Sequence, residues 1–323
     1  MSMRGYLALF SLALIWGASF FFIKIGVAEM SPPTLVSLRL TFSLVVLTIV
    51  TLSVRGSLSG FWRALPLGIV SGFFNIAAPY LLITWGETQI DSSTASILNA
   101  AVPLFIVPLA AFWIGPGHER ITSRRVLGVL IGFAGVLTIF GPAALFYGKS
   151  IIGDLAVLLA AAMYAIGGLL LRRYHAKGML VGPISTQLTA LLMVAPVIFL
   201  TGGLPTKLPS LGALAAVATL GVVGTGIAYL LFFWLNQNVG PTRASIVTYL
   251  LPCTAIIYGA VLLHESITPA KVGGLVLVLF GTLIITGAIR LPRRGKHQQP
   301  ATDAPASPVE EIPAALARVG GDA

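Results

Sequence analysis

One arginine lies well inside an apolar run and is the residue whose chemistry most needs an explanation. Arg39 follows Pro33 by six positions, or about 9 Å along a helix that rises roughly 1.5 Å per residue. A charged side chain at membrane depth is costly and marks a functional site by default. Arg39 could hold a substrate carboxylate or phosphate. The alternative is that it extends to the lipid headgroups or pairs with helix carbonyls.

Polar and aromatic side chains inside other apolar runs form a second group of candidates. A buried amide or phenol in lipid needs a hydrogen-bond partner, which either a substrate or a neighbouring helix can supply. The predicted substrate-binding residues are Trp16, Arg39, Asn75, Tyr80, Asn99, Tyr164, Gln187, Tyr229 and Tyr249.

Two prolines inside apolar runs are candidates for a mechanical role. Pro103 and Pro252 each follow an Ala-Ser-Ile triplet at the same distance. Because proline removes a helix hydrogen bond and allows a bend, each is either a gate hinge or a plain structural kink.

The sequence offers little that could support catalysis or a bound metal. It contains no paired carboxylates, no nucleophile with a matching base, and neither an HExxH motif nor a Cys/His metal spacing. No acidic residue lies at the centre of an apolar run; Glu87 and Asp154 could titrate at the mouth of a cavity, but we interpret them as loop caps. The pairs His118-Glu119 and His264-Glu265 lie at loops and are interpreted as helix-end features. The sequence therefore predicts no enzyme, no cofactor and no metal.

The elements that must position these residues are membrane helices. Apolar residues make up 57% of the chain and charged residues 9%, whereas a soluble domain carries about 25% charged residues. The lipid bilayer is therefore the predicted environment, and the net charge of +10 is assigned to loops rather than to a nucleic-acid surface. Ten spans are predicted, at about 5–26, 33–54, 64–85, 92–114, 124–141, 152–172, 182–202, 210–233, 240–262 and 269–289.

The positions of the basic residues predict an orientation. With the N-terminus placed inside, fourteen Lys and Arg near span ends fall inside and four fall outside. This bias favours a cytoplasmic N-terminus and a cytoplasmic C-terminus. After residue 290 the composition becomes rich in Pro, Ala and charge, so 290–323 is predicted to be a disordered cytoplasmic tail.

The chain repeats itself at a fixed distance. Ala95-Ser96-Ile97 recurs 149 positions later as Ala244-Ser245-Ile246, and Tyr80 matches Tyr229 at the same offset. Residues 5–141 and 152–289 are therefore predicted to be two copies of one five-helix unit. Five is odd, so the copies have opposite orientation, an architecture that recurs in secondary transporters. Arg39 has no charged counterpart, because Thr189, beside Gln187, occupies its position in the second copy.

The repeated unit resembles the EamA family of the drug/metabolite transporter superfamily. The resemblance rests on Leu14-Ile15-Trp16-Gly17-Ala18-Ser19-Phe20, on the Ala-Ser-Ile/Pro helix, and on the Glu-Arg-Ile-Thr or Glu-Ser-Ile-Thr segment that precedes a glycine-rich helix. It implies a central cavity lined by spans 1, 3, 4, 6, 8 and 9, with spans 5 and 10 peripheral. It also implies transport of small metabolites, mostly export of amino acids and related compounds.

The predicted function is export of amino acids or related solutes across the inner membrane by alternating access. The alternatives are an importer or exchanger of a vitamin, sugar or nucleotide conjugate, and a non-transporting scaffold or receptor. The small multidrug-resistance relatives carry an acidic residue in the first helix; this first helix has none, and proton coupling stays open. Gly68-x-x-x-Gly72 and Gly128-x-x-x-Gly132 favour close helix contact, either within the chain or in a homodimer.

Overall fold

Every regular element in the described part of the chain is helical. The computed structural model describes residues 1–113, 122–144, 149–173, 181–201, 203 and 207–288. The predicted tail at 290–323 and the predicted helix-end pair His118-Glu119 lie outside these residues. Helical structure is expected here because backbone polar groups in lipid must be satisfied within the segment.

The described residues form fourteen α-helical segments in chain order. They are α1 Met3–Val27, α2 Pro32–Arg55, α3 Phe61–Gly72, α4 Ala78–Gly86, α5 Ser92–Asn99, α6 Val102–Trp113, α7 Ser123–Ala144, α8 Lys149–Arg173, α9 Val181–Leu200, α10 Leu211–Gly221, α11 Ala228–Asn238, α12 Pro241–Ala244, α13 Val247–Leu262 and α14 Pro269–Thr286.

Most of these segments are long and apolar enough to cross a bilayer. Within the described residues, nine helical stretches meet that requirement, three of them made of two consecutive segments: Phe61–Gly86, Ser92–Phe112 and Leu211–Asn238. The segment α13, Val247–Leu262, is a shorter apolar helix. It occupies most of the predicted ninth span, which is shorter than expected because α12 and α13 are separate helices.

Short polar residues and glycines set the helix ends. The hydroxyls of Ser2, Ser210 and Thr268 each accept a hydrogen bond from a backbone N–H three residues into α1, α10 and α14. These contacts satisfy donors that a helix start leaves without an intrahelical partner. Gly56 and Gly287 end α2 and α14 in the left-handed conformation, which glycine adopts without a steric penalty.

One π-helical turn interrupts the third span of each predicted half. The two turns cover Phe73–Ala77 and Val222–Ile227 and begin 149 residues apart, which is the offset of the sequence repeat. A π turn shifts the side chains that follow it and occurs often at functional sites. In the second turn the Thr225 hydroxyl donates to the Leu220 carbonyl oxygen at 3.0 Å.

The fourth span of each predicted half is broken, but at different places. In the first half Ala100 and Ala101 are non-helical, and Pro103 is the second residue of α6. In the second half the break falls at Ser245 and Ile246, and Pro252 lies inside α13. Of the two predicted hinges, Pro103 therefore adjoins a break, whereas Pro252 lies six residues beyond one.

The contacts between helices follow a reciprocal pattern. Helix α1 packs on α13, and α8 packs on α5 and α6. Helix α3 packs on α9, and α10 packs on α2. Helix α4 packs on α8, and α11 packs on α1. Each pair thus joins a helix of one predicted half to a helix of the other and recurs with the equivalent helices exchanged. The pair α7 and α14 is its own equivalent.

Both glycine motifs make close contacts within the chain. A Cβ at Gly128 would lie 2.8 Å from the Gly281 carbonyl oxygen, and a Cβ at Gly68 would lie 2.7 Å from Ser185 Oγ. Small residues here let α7 approach α14, and α3 approach α9, at backbone distance. A homodimer stays a prediction, and these two faces are occupied inside the monomer.

Large apolar side chains cover the outside, and polar ones lie inside. Phe112 is 87% exposed and Phe199 is 74% exposed, whereas Arg39 is 6% exposed. Such an arrangement is the reverse of a soluble protein and suits a surface that faces lipid.

Candidate functional site

A cavity of about 630 Å³ lies between the helices of residues 1–290. Its volume is in the range of small-molecule sites, about 300–1,000 Å³. The structure brings eight of the nine predicted substrate-binding residues to its wall: Trp16, Arg39, Asn75, Tyr80, Asn99, Tyr164, Tyr229 and Tyr249. Pro103 also lies on the wall.

Arg39 is held in the cavity wall from two sides. Its Nε donates to Thr225 Oγ1 at 2.8 Å, and its guanidinium carbon lies 3.8 Å from the centre of the Tyr80 ring. The contact over the ring is a cation–π interaction. Arg39 forms no salt bridge with any carboxylate among the described residues. The side chain therefore does not extend to the headgroups, and its charge is directed at the cavity.

The π turn at Val222–Ile227 positions the partner of Arg39. Because Thr225 donates to Leu220, five residues back, its hydroxyl oxygen is oriented to accept from Arg39. Gly221 allows α2 to come close, since a Cβ there would lie 2.7 Å from the Arg39 carbonyl oxygen. The equivalent residue of the first half is Ile76, which has no hydroxyl. Arg39 and its acceptor Thr225 therefore lie together on one side of the cavity, and the repeat provides no equivalent pair on the other side.

Two amides on the wall retain hydrogen-bonding capacity. Asn99 Oδ1, at the end of α5 beside the helix break, is buried and has no hydrogen-bond partner among the residues that the structure describes. Asn75 Nδ2 lies 3.4 Å from Ser71 Oγ, a long contact. Gly167 on α8 gives Asn75 its space, because a Cβ at Gly167 would clash with the Asn75 amide. A bound solute can satisfy these groups.

Aromatic and hydroxyl groups complete the wall. The Trp16 ring packs against Phe232, with 5.3 Å between ring centres. Tyr249 donates to Thr286 Oγ1 at 2.9 Å, and both residues line the cavity. The wall is therefore mostly apolar, with a few polar groups that can orient a ligand.

Two predicted residues lie away from the cavity. Gln187 is fully buried on α9 and has no hydrogen-bond partner for either amide atom among the described residues. Its helix packs against α2 and α3, so Gln187 meets protein rather than the cavity. Neighbouring Thr189 donates to the Gly68 carbonyl oxygen at 2.7 Å. Pro252 is buried in α13 and does not line the cavity.

The lining carries positive charge and no acid. Among its described residues are two arginines, Arg39 and Arg125, and no Asp or Glu. The charge of Arg39, which has no salt bridge with a carboxylate of the described residues, favours solutes with a carboxylate or another anionic group over simple cations.

More helices contribute to the wall than the family resemblance implies. Arg39 belongs to span 2, Arg125 to span 5, and Ile285 and Thr286 to span 10. The expectation that spans 5 and 10 are peripheral is wrong at one end of the molecule. There the first turn of α7 and the last turn of α14 reach the cavity.

The two ends of the cavity differ. Arg125, Ser245 and Thr286 line the end that we call the open end. At the other end of the same helices lies a group of hydrogen-bonded residues that we call the polar closure: Lys24, Glu87, Asp91, Ser92, Ser93, Glu265 and Lys271. Lys271 and Thr286 are fifteen residues apart in α14, or about 22 Å at roughly 1.5 Å per residue.

Charged side chains bind backbone groups throughout the polar closure. Lys24 Nζ donates to the carbonyl oxygens of Glu87 at 2.7 Å and Ile90 at 2.8 Å. Glu265 accepts from the N–H groups of Ser92 at 2.8 Å and Ser93 at 3.0 Å. Lys24 therefore does not extend to lipid, as snorkelling would require, because the loop after α4 offers it carbonyl acceptors.

Glu265 links the two predicted halves. Its carboxylate, from the loop between α13 and α14, caps the N-terminus of α5, where the helix dipole favours negative charge. Burial opposes ionisation, but the hydrogen bonds from Ser93 and Ser92 outweigh it and lower the pKa of Glu265 below its ordinary value. Gly259 makes room, since a Cβ there would lie 2.6 Å from Glu265 Oε2.

A salt bridge lies beside this cap. Lys271 Nζ is 2.6 Å from Asp91 Oδ2 and also donates to the Ser266 carbonyl oxygen at 2.9 Å. The Asp91 side chain is 47% exposed, so water screens the pair and its own contribution is small.

Sequence reasoning missed several residues that form the site. Thr225 and Gly167 act through neighbours, Arg39 and Asn75, that only the fold identifies. Glu265 was interpreted as a helix-end residue, and it does cap a helix, although one 172 residues away in sequence. Its place in a loop and its match with Glu119 in the repeat were the available signals.

The prediction that Glu87 is a loop cap is wrong. Its side chain is fully buried, and neither carboxylate oxygen has a hydrogen-bond partner. The carboxylate that caps the α5 N-terminus is that of Glu265, and the Glu87 side chain packs inside.

These features define a multi-pass membrane protein with a central, positively charged solute cavity. The sequence pattern of the EamA-like transporter family matches residues 3–141 and matches again at residues 151–287. The chain therefore belongs to the EamA-like transporter family, and it is a transporter of the inner membrane.

Relatives of similar length carry transporter names. An uncharacterized transporter of Archaeoglobus fulgidus is 29% identical, over 88% of this chain and 99% of the relative. The uncharacterized inner membrane transporter YedA of Escherichia coli K12 is 28% identical, over 86% and 89%. A probable terminal-alkyne amino-acid exporter of Streptantibioticus cattleyicolor is 27% identical, over 91% and 96%.

A solved crystal structure shares the fold. It matches with a TM-score of 0.63 at 21% identity and covers 90% of this chain and 99% of that chain.

Proposed function

We propose that this transporter exports amino acids or closely related solutes. The observation that carries the proposal is the buried Arg39 guanidinium on the wall of a cavity whose described lining holds no acid. A carboxylate is the partner that this guanidinium lacks, and Arg pairs well with carboxylates through two parallel hydrogen bonds. The name of the Streptantibioticus relative, a probable amino-acid exporter, supports the same class.

The rest of the wall suits the remainder of an amino acid. The ammonium group can donate to Asn99 Oδ1, which is buried and unpartnered, or lie over a tyrosine ring. The apolar part of the cavity takes the side chain. A phosphorylated or nucleotide-linked solute carries more negative charge, and we expect it to require more cations than this wall offers.

We further propose that ten spans, arranged as inverted repeats over 5–141 and 152–289, carry out alternating access. Support comes from the reciprocal helix contacts, from the two π turns 149 residues apart, and from the two matches to the family pattern. The charge bias places the open end in the cytoplasm and the polar closure outside. In this arrangement the described conformation accepts solute from the cell.

The test is export by whole cells that express the protein. Cells are fed dipeptides to raise internal amino acids, and the medium is followed by mass spectrometry. We expect wild type to release one or a few amino acids faster than empty-vector cells, and Arg39→Ala to lose this release by about tenfold or more, because a hydrogen bond to a charged group is worth roughly 1.5–3 kcal/mol.

Two variants control this test. Arg63→Ala removes an exposed arginine at the start of α3 and should export like wild type. Arg39→Lys keeps the charge but not the paired donors and should be intermediate. If Arg39→Ala exports normally at equal expression, the carboxylate role of Arg39 is wrong. If wild type releases no amino acid above the vector control, amino-acid export is wrong.

A further inference from the structure

One buried ionisable group lies outside the contacts that explain the cavity. Glu87 is one residue beyond the apolar stretch Phe61–Gly86. Its side chain is 0% exposed, and neither carboxylate oxygen has a hydrogen-bond partner in the part of the chain that the structure describes. No basic side chain among the described residues forms a salt bridge with it. A carboxylate without a partner in such a place is strongly disfavoured against the neutral acid.

The nearby positive charges are already engaged. Lys24, on α1, donates to two backbone carbonyl oxygens, one of them that of Glu87. Arg39, on α2, is bound to Thr225. Lys271, on α14, is paired with Asp91. Lys24 and Lys271 have acceptors of their own, and Thr225 holds Arg39 on the cavity wall, so none of the three is paired with Glu87.

Of the two acidic residues near Glu87, Glu265 carries a negative charge that opposes ionisation. Glu265, from the loop between α13 and α14, is ionised as the cap of α5. Asp154, on α8, is itself buried with Oδ1 unpartnered, and α8 contacts α4 where Gly153 meets Gly86. Burial raises the pKa of Glu87 well above its ordinary value, Lys24 and Arg39 partly oppose the rise, and Glu265 adds to it.

The burial of Glu87 depends on the polar closure. The caps made by Lys24 and Glu265 hold α1, α4, α5 and the loop before α14 together at this end. If these elements separate, water reaches the carboxyl group and its pKa returns toward about 4.3.

We propose that Glu87 is a proton-binding site of the polar closure. It takes a proton from water on that face as the closure shuts, and it returns the proton to that water as the closure opens. The carboxylate gains one O–H bond, and the hydronium ion of that water loses one; the reverse exchange occurs when the closure opens. The proposal rests on the alternating access proposed above. It adds a proton as a second ligand, which the protein releases when this face opens.

The sign of the pH dependence follows by linkage. The closed state holds the proton more tightly than the open state, so closure is most favoured at low pH and loses this advantage as pH rises. Between the ordinary pKa of a glutamate and the raised pKa of Glu87, one released proton increases the opening equilibrium up to about tenfold per pH unit.

The experiment measures opening directly and needs no transported solute. The native Cys253 is replaced by serine, and Ser93, which is 2% exposed, is replaced by cysteine. The rate of reaction with a maleimide is measured on the purified full-length protein between about pH 5 and pH 8, which lies above the ordinary glutamate pKa of about 4.3. The same reaction is measured at Ala28→Cys, an exposed position at the same end. Dividing the Ser93→Cys rate by the Ala28→Cys rate at each pH removes the pH dependence of thiol ionisation and gives the corrected rate.

We expect the corrected labelling rate at Ser93→Cys to rise with pH when residue 87 is the native glutamate. In Glu87→Gln, which mimics the protonated acid, the rate should stay low and independent of pH. Asp154→Asn, which removes the neighbouring buried acid, should keep the rise. A flat profile with Glu87 present overturns the proposal, and so does an unchanged rise in Glu87→Gln.

A second neutral substitution at Glu87 tests whether misfolding explains the result for Glu87→Gln. Glu87→Met replaces the acid with an apolar side chain of similar volume, and its profile should be as flat as that of Glu87→Gln. Failure of amino-acid export in the whole-cell test would not change these rates, because no amino acid is present. The two proposals can therefore fail separately.

Discussion

At the scale of single residues, the support of Arg39 can be removed without touching Arg39 itself. Thr225→Val keeps the side-chain shape but removes the acceptor that lies 2.8 Å from Arg39 Nε. A buried charged donor without an acceptor costs about 1–3 kcal/mol, and the guanidinium should turn away from its present direction. We expect the apparent KM for the exported amino acid to rise by roughly tenfold.

The matched variant is Thr225→Ser, which keeps the hydroxyl and should stay near wild type. Export rates are measured against the internal amino-acid concentration, with expression checked in the membrane fraction. Equal kinetics for the valine and serine variants would show that Thr225 does not position Arg39.

The sequence could identify Arg39 but not its contacts. A single charged residue in an apolar run can be recognised from the sequence, because the free-energy cost of a charge at membrane depth does not depend on the rest of the fold. Thr225 and Tyr80 reach Arg39 from two other spans, and the distance between spans is set by side-chain packing. Gln187 shows the same limit of prediction from sequence. Its polarity predicted a substrate-binding residue, but its helix packs against α2 and α3 and holds the side chain away from the cavity.

At the scale of elements, the contact between α8 and the first π turn should control Asn75. A Cβ at Gly167 would clash with the Asn75 amide, whereas a Cβ at Gly168, the next residue, has no atom within 4 Å. Alanine stabilises a helix by roughly 1 kcal/mol relative to glycine. Gly168→Ala should therefore be neutral or slightly stabilising, and Gly167→Ala should displace Asn75 and lower export several-fold.

The two alanine variants are compared by export assay and by thermal unfolding of the purified protein. A loss of export in Gly167→Ala together with a retained unfolding temperature would assign the loss to Asn75. Equal export by both variants would remove Asn75 from the site.

Periodicity and composition predicted the spans but not their interruptions. The run from 61 to 86 is mostly apolar, and its hydropathy does not distinguish the π turn at Phe73–Ala77 from the α-helix on either side. A π turn costs little locally and is selected by the helices packed around it. Pro103 did signal the adjoining break, because proline cannot complete the hydrogen bonds of the preceding turn.

At the scale of the whole molecule, residues that match in the sequence repeat lie on the wall of one cavity. Tyr80 and Tyr229 match at the offset of 149, and both reach the same cavity wall. Sequence alone could not predict which end of the cavity is closed, because the same helices must form both states. The closed end is set by contacts such as that of Glu265 with α5, which join residues far apart in the chain.

The cap formed by Glu265 should hold the two halves together at the polar closure. Glu265→Gln keeps the shape but loses the charge that Ser92 and Ser93 donate to. Hydrogen bonds to charged groups are worth about 1.5–3 kcal/mol, so the corrected labelling rate at Ser93→Cys should rise by roughly ten- to a hundredfold.

The pH dependence of this cap has the opposite sign to that of Glu87. The pKa of Glu265 is lowered in the closed state, so its contribution is fully present above the ordinary glutamate pKa and is lost only as pH falls through the lowered value. Between about pH 5 and pH 8 the ratio of the Glu265→Gln rate to the wild-type rate should therefore be constant. Glu29→Gln is the control, since Glu29 also caps a helix at this end, through Ser210 at 2.6 Å, but is fully exposed. If Glu265→Gln labels no faster than Glu29→Gln, the cap does not keep the closure shut.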